Sequence, residues 1–218
     1  MADIRARPER NADVLLIDKV QGLAGHDVNF LPELCSAGIS VLLAGDDCQQ
    51  TFDTSRDGNT NATLHDNITC QETCFTEAGM LPEWETLIKT WRCSQTVGEF
   101  ISSDLHIPVV AHISLHSRIE TVNDHEQVTA LCADDGIIKL FYREHHRYGC
   151  YSLNWGVSKG LDHFNDICIV MGYTHWKLLT DNHLKTMKPV TRNKLYVACS
   201  HARGNIRFVP EKLLRSFR

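Results

Sequence analysis

Short, wholly apolar runs alternate along this chain with stretches of helical periodicity. Residues 14–17 are Val14, Leu15, Leu16 and Ile17, closed by Asp18. A run this short, apolar at every position and ending at an acid, predicts a buried parallel strand. In residues 29–37 the apolar positions Phe30, Leu31, Leu34 and Cys35 recur at helical spacing, and Gly38 is placed to cap the helix. Residues 39–44 predict a second buried strand, with Gly45, Asp46 and Asp47 as its exit turn. Strand, helix, strand in this order predicts a βαβ unit with a parallel sheet.

The pattern then changes. Asp, Asn, Thr and Gly dominate residues 53–79 without a sustained period, which predicts a long surface loop or flexible insertion. Helical periodicity returns at 81–90 and 94–103. Residues 105–136 are mixed, 137–142 predict a strand, and 143–150 a polar, His-rich turn. Ile167, Cys168, Ile169 and Val170 make 166–171 a strong strand. Residues 174–187 and 190–200 predict helices, the second opened by Pro189, and 205–209 a closing strand. A boundary near residues 80–90 divides the chain into domains 1–85 and 86–218.

Composition narrows the class. With 218 residues, 43% hydrophobic and 22% charged, the chain has the makeup of a soluble globular protein of one large or two small domains. A net charge of −5 argues against a basic nucleic-acid coat but leaves room for a local cationic groove of a few Lys and Arg. The first apolar run is far too short for a signal-peptide core or a membrane span, so a cytoplasmic location without a membrane partner is expected. Of nine cysteines, Cys35, Cys168 and Cys199 sit in apolar periodic segments and read as small core hydrophobes. Cys70 and Cys74 have C-x-x-x-C spacing but no second Cys/His pair at finger spacing, which argues against zinc. His145, His146 and Arg147 form a solvated cationic turn.

Five segments carry candidate chemistry. They are Asp18-Lys19-Val20-Gln21-Gly22-Leu23, Gly45-Asp46-Asp47-Cys48-Gln49-Gln50-Thr51-Phe52, Trp91-Arg92-Cys93, Ser158-Lys159-Gly160-Leu161-Asp162 and Tyr196-Val197-Ala198-Cys199-Ser200-His201-Ala202-Arg203. In this order and spacing they resemble the later motifs of UvrD/Rep-like superfamily 1 DNA helicases: D-E-x-Q-D-L, G-D-x-x-Q-x-x-[YF], [YW]-R-C/S, K-G-L-[ET] and Y-V-A-x-T-R-A-R. The resemblance implies an α/β fold of RecA-like P-loop NTPase type, with parallel sheets flanked by helices. It implies ATP and Mg²⁺ as cofactors, bound between two motor domains, and single-stranded DNA crossing both. The first motor domain is expected to be truncated and the second complete, because no G-x-x-x-x-G-K-[ST] phosphate loop occurs in the sequence.

The roles that follow by resemblance each have a plainer counterpart. Asp18 would hold Mg²⁺ through water, or is a turn acid. Gln49 would sense the γ-phosphate, or is an exposed amide opening a helix. Arg92 would stabilise phosphate charge, or forms a surface ion pair. Trp91 would pack on adenine or on the core, and Phe52 on a base or on the core. Ser158, Lys159 and Gly160 form a tight polar turn whose N–H groups and lysine would hold a DNA phosphate. Gly160 and Asp162 would also line the nucleotide, with Asp162 at the ribose. His201 and Arg203 stand at the two arginines of the last motif. Histidine is shorter than a guanidinium and lacks its fixed fork, and Arg203, read as helical, would face another way. Lys19 stands where the family has the glutamate that polarises water, and an ammonium accepts no proton. The chain is therefore expected to be a fragment or degenerate helicase that cannot hydrolyse ATP alone. The alternative is a non-catalytic adaptor docking on DNA or on a protein that supplies the missing motor half.

Overall fold

The computed structural model describes residues 2–51, 59–61, 68–112, 115–161 and 163–218. The chain divides into two compact units, Met1–Trp84 and Glu85–Arg218.

The first unit opens with helix α1 (Ala2–Asn11), followed by β1 (Val14–Asp18), α2 (His26–Cys35), β2 (Ser40–Ala44) and α3 (Ile68–Glu77). β1 and β2 pair in parallel, Leu16 opposite Leu42 and Asp18 opposite Ala44, so the expected βαβ unit forms. Val28, Leu31 and Leu34 make the buried face of α2. α1 docks on this helix through an Arg5–Glu33 ion pair of 3.0 Å. The Gly38 N–H donates to Glu9 Oε1 at 2.8 Å, so Gly38 joins α1 rather than capping α2, which ends at Ser36. The strands are not buried as their apolar runs predict. Val14, Leu16 and Leu42 are 50%, 69% and 62% exposed, one uncovered face of a two-stranded sheet. Within the expected insertion, residues 53–58 and 62–67 lie outside the described residues, but α3 is a helix. Its buried Gln71 and its Cys74 and Phe75 line a small apolar cleft with Val20, Leu23, Val28 and Leu31. Tertiary contact, not local periodicity, fixes this helix.

The second unit begins with β3 (Lys89–Thr90), α4 (Gln95–Asp104), β4 (Val110–Ala111), β5 (Ile119–Thr121), α5 (His125–Ala133), β6 (Ile138–Phe141) and β7 (Ser152–Asn154). It continues through β8 (Ile167–Met171), α6 (Tyr173–Thr180), α7 (Pro189–Ser200) and β9 (Ile206–Pro210) to a 3₁₀ segment, Glu211–Phe217. β3 and β4 form a small parallel pair; the main sheet runs β5-β9-β8-β6-β7, every neighbouring pair parallel. β6 and β8 are buried at every position, and β9 at all but one, as interior strands covered on both faces should be. On one face Phe141, Cys168, Val170 and Val209 pack with Val128 and Cys132 of α5 and with Leu214. On the other, Phe100 of α4 meets Phe208 at 5.5 Å between ring centres, and α4 packs on α7. This is an α/β unit with a five-stranded parallel sheet flanked by helices, the architecture expected of a RecA-like motor domain.

Two expected elements differ. Residues 81–90 hold no helix; Leu81 and Leu87 are 95% and 75% exposed, so their spacing has no face to bury, and Pro82 lies among them. The helix expected at 174–187 stops at Thr180. Asn182 is left-handed (φ 55°), and the His183 and Asn182 N–H groups donate to Leu178 and Leu179 oxygens at 2.8 and 3.2 Å, closing the helix in a Schellman motif. α7 (Pro189–Ser200) takes its expected range, but with His201 as its cap Arg203 is not the helical residue it was read as.

Candidate functional site

Parallel pairing aligns Asp18 with Ala44, and the chain beyond each strand supplies the polar groups of the first unit. Lys19 turns left-handed (φ 60°, ψ 40°). Its N–H donates to Asp18 Oδ1 at 2.8 Å, and its ammonium lies 3.5 Å from Asp18 Oδ2. Both carboxylate oxygens therefore face positive charge from the next residue. Mg²⁺ takes several oxygen ligands and keeps waters; one exposed carboxylate with an ammonium on it does not fit that ion. Among the described residues no group of three His, Cys, Asp or Glu side chains is arranged to hold a metal.

Asp46 caps the 3₁₀ turn Asp47–Gln49, accepting from the Cys48 N–H at 3.0 Å and from Gln49 Nε2 at 2.8 Å. The Gln49 amide is thus neither an exposed helix opener nor aimed at a ligand by itself; Asp46 orients it. Asp47 turns into the apolar cleft beneath α3. Burial, and then the adjacent Asp46 charge, raises its carboxyl to about 6. Gln21, 4% exposed, leaves its Oε1 without a hydrogen-bond partner among the described residues and lies over Gly45, where a Cβ would sit 2.6 Å from that oxygen. Phe52 and Asp162 lie outside the described residues.

In the second unit Trp91 is 65% exposed, its ring against His112 at 3.4 Å between centres, so it is not a core residue. Arg92 is exposed and makes no ion pair among the described residues. Its Nη1 lies 3.3 Å from Nε2 of His201, a side chain only 1% exposed. Arg203 is exposed, on the bend after α7, and its N–H donates to the Phe164 oxygen at 3.1 Å.

Trp155–Ser158 is a 3₁₀ turn, and Ser158, Lys159, Gly160 and Leu161 follow as a type II turn. Lys159 (φ −55°, ψ 124°) and Gly160 (φ 83°) take the central positions, and the Leu161 N–H donates to the Ser158 oxygen at 3.0 Å. Gly160 supplies the positive φ, and nothing lies within 4 Å of where its Cβ would be. Ser158 corrects the expectation: it is fully buried, and its hydroxyl donates to the Trp155 oxygen at 2.7 Å, so it does not reach a phosphate.

Periodicity did not single out the richest cluster. Strands β6, β7 and β8 are parallel, so the residues just past their ends share one edge, where open α/β sheets bind ligands. Tyr142 follows β6. The Arg143 guanidinium sits 5.0 Å from its ring centre and the Lys194 ammonium 5.5 Å, and its hydroxyl pairs with Thr191 at 3.2 Å. Trp155, just past β7, packs edge-on to Tyr142 at 5.3 Å, and His175 of α6 at 4.8 Å. His175 Nδ1 is buried without a partner among the described residues, and burial lowers its basicity despite the Glu211 charge. Tyr173, opening α6, is 84% exposed. The legible signal was an apolar strand running straight into Tyr142-Arg143.

No family model and no curated protein sequence matches the chain. Among solved structures, the nsp10 helicase of PRRSV aligns over 93% of this chain at 17% identity with a TM-score of 0.36. The chain spans 37% of the length of that helicase. The fold described above rests on the sheet itself and not on this alignment.

Proposed function

We propose that the chain is a nucleic-acid-binding module of UvrD/Rep helicase type that does not turn over ATP. The observation that carries the reading is the edge past β6 and β7, where Arg143 and Lys194 flank Tyr142, with Lys159 on the type II turn after Trp155. Cations beside aromatic faces are what a single-stranded backbone and its bases require. In a chain of net charge −5 such binding is local, weak and strongly salt-dependent. Hydrolysis is disfavoured at Asp18, whose carboxylate Lys19 engages from both sides, and the sequence contains no phosphate loop.

Fluorescence anisotropy with single-stranded oligonucleotides at low salt tests the binding. Lys159→Glu and Arg143→Glu should each weaken it by about threefold to tenfold, equally for unrelated sequences, since phosphate contacts carry no base information. No binding, or binding indifferent to both changes, overturns the reading. DNA-stimulated ATP hydrolysis that disappears in Asp18→Ala would overturn its second half.

A second reading has its own support. The exposed Val14, Leu16 and Leu42 leave a parallel sheet half covered, and two strands alone are marginal. A protein supplying further parallel strands is the partner this predicts, and size-exclusion light scattering of the chain with a candidate motor subunit would detect it.

A further inference from the structure

The uncovered face of the β1–β2 sheet is built by alternate residues of paired strands. Val14, Leu16 and Asp18 stand opposite Ser40, Leu42 and Ala44, so these side chains leave the sheet on one side. Val14, Leu16 and Leu42 are exposed there, while the intervening positions of both strands are half-buried. Strands added in the plane of the sheet would lengthen it without covering this face. A contiguous apolar face open to solvent marks an interaction surface.

Charge narrows what covers it. Residues 1–84 carry 14 acidic and 5 basic side chains, net −9, whereas residues 85–218 carry 13 and 17, net +4. Asp13 and Asp18 bracket the apolar face, both exposed. The Lys19 ammonium, 3.5 Å from Asp18, makes a loose surface pair that contributes little. Two such faces stacked on each other would set like charges together, which disfavours a face-to-face pair. The fitting occupant is apolar at its centre and cationic at its rim.

The second unit of the same chain carries such a surface at the carboxyl edge of β6, β7 and β8. Val157 follows β7 and Tyr173 opens α6 after β8, and both are exposed. Lys177 stands one turn beyond Tyr173 on α6, and Arg143 follows β6. Both cations are exposed and make no ion pair among the described residues. Two acids near this edge are already engaged. Arg147 holds Glu144 at 2.9 Å, and Glu211 accepts from the Tyr148 hydroxyl at 2.6 Å and meets Arg218 at 3.5 Å. The edge is left cationic around an apolar centre.

We propose that the chain self-associates head to tail, the β1–β2 face of one copy covered by the β6–β7–β8 edge of a second copy. The contact is heterologous. A dimer therefore keeps one free face and one free edge, and association continues into rings or open chains. The apolar centre is small, so each contact is weak, with a Kd on the order of 100 μM. Opposite charges at the rim make it weaken as salt is raised. The self-contact does not rest on nucleic-acid binding, although it uses the same edge.

Sedimentation velocity of the whole chain, without nucleic acid, from roughly 10 to 500 μM is the test. At low salt the average mass should rise with concentration. Leu16→Glu and Arg143→Glu should each raise the apparent Kd about tenfold or more. Both positions are exposed, so neither change disturbs a core. Mixing the two variants is decisive. Leu16→Glu keeps an intact edge and Arg143→Glu an intact face, so together they should form a one-to-one dimer and stop there. A chain that stays monomeric at every concentration, association that Arg143→Glu leaves intact, or variants that fail to rescue each other would overturn the proposal.

Discussion

Arg92 and His201 form a guanidinium–imidazole pair that fixes the state of both. His201 Nδ1 lies 2.7 Å from the Val197 oxygen, and its Nε2 lies 3.3 Å from Arg92 Nη1. A carbonyl oxygen only accepts, so Nδ1 carries the hydrogen and Nε2 offers its lone pair to the guanidinium. The imidazole therefore receives charge from Arg92 rather than adding a second cation beside it.

Substitution at this pair should be sharply asymmetric. His201→Arg, which restores the residue type of the helicase motif, would bury a second guanidinium against the first and should cost about 3 kcal/mol. His201→Gln keeps an acceptor and should cost about 1 kcal/mol. Urea unfolding measures both; an arginine variant as stable as the parent chain would refute the pairing.

The two units should respond to acid with opposite signs. Asp47 has its folded pKa raised from 3.8 to about 6. Its protonated form is favoured in the fold, so stability is gained as pH falls from about 6 towards 3.8 and is lost as pH rises through that window. Asp47→Asn should stabilise the first unit above pH 6 by about 2 kcal/mol and flatten its slope. Asp166 behaves oppositely. Burial opposes its charge, but the Asn205 N–H at 2.8 Å, the Asn205 amide and Arg207 Nη1 at 3.1 Å outweigh it and lower its pKa. Its contribution is present above the ordinary aspartate range and is lost as pH falls through the lowered value. Hydrogen exchange followed from neutral pH down through and below the ordinary aspartate range resolves the units: the first should gain stability as pH falls from about 6 towards 3.8, and the second should lose it below 3.8; parallel slopes over both windows would contradict this account.

Gly204 should tolerate no side chain. A Cβ there would fall on Asp166 Oδ1 and within 3.1 Å of the Asn165 backbone. Gly204→Ala must push the carboxylate off Asn205 and Arg207, and should cost about 2 kcal/mol. A loss under about 0.5 kcal/mol, the range of an ordinary surface change, would mean that the network relaxes freely.

Two left-handed positions give a pair of opposite signs. Lys19 holds φ 60° against its Cβ, whereas Gly160 uses φ 83° with open space around it. Lys19→Gly should stabilise and Gly160→Ala destabilise, each by about 1 kcal/mol and chiefly through backbone conformation, since the exposed Lys19–Asp18 ion pair that the first change removes contributes little. Thermal melts of the two variants check this, and shifts of the same sign would rule it out.

β6, β8 and β9 were legible because each is a short, largely apolar run, and Pro189 marked the start of its helix with ordinary cap chemistry. What escaped was set by distance in sequence. The partner of Arg92 lies 109 residues away, and Ser158 turns inward because the Trp155 oxygen is there to receive it. α3 has too few apolar positions to announce itself, and β7 is three residues long. Exposure was misread at β1 and β2 for the converse reason. An apolar run says what a strand would bury, not whether anything covers it.

The strand order also sets a timetable for folding. β9, the last of these five strands in sequence, lies between β8 and β5, and among the described residues β5 has no other neighbour in the sheet. About ninety residues therefore separate β5 from the strand that gives it a place, a long loop to close before any reward is collected. During synthesis β6, β7 and β8 can zip together as they emerge, while β5 waits with its backbone unpaired. A nascent chain halted before Ile206 is then a three-stranded sheet with an open apolar flank, a natural target for chaperones and a poor candidate for release.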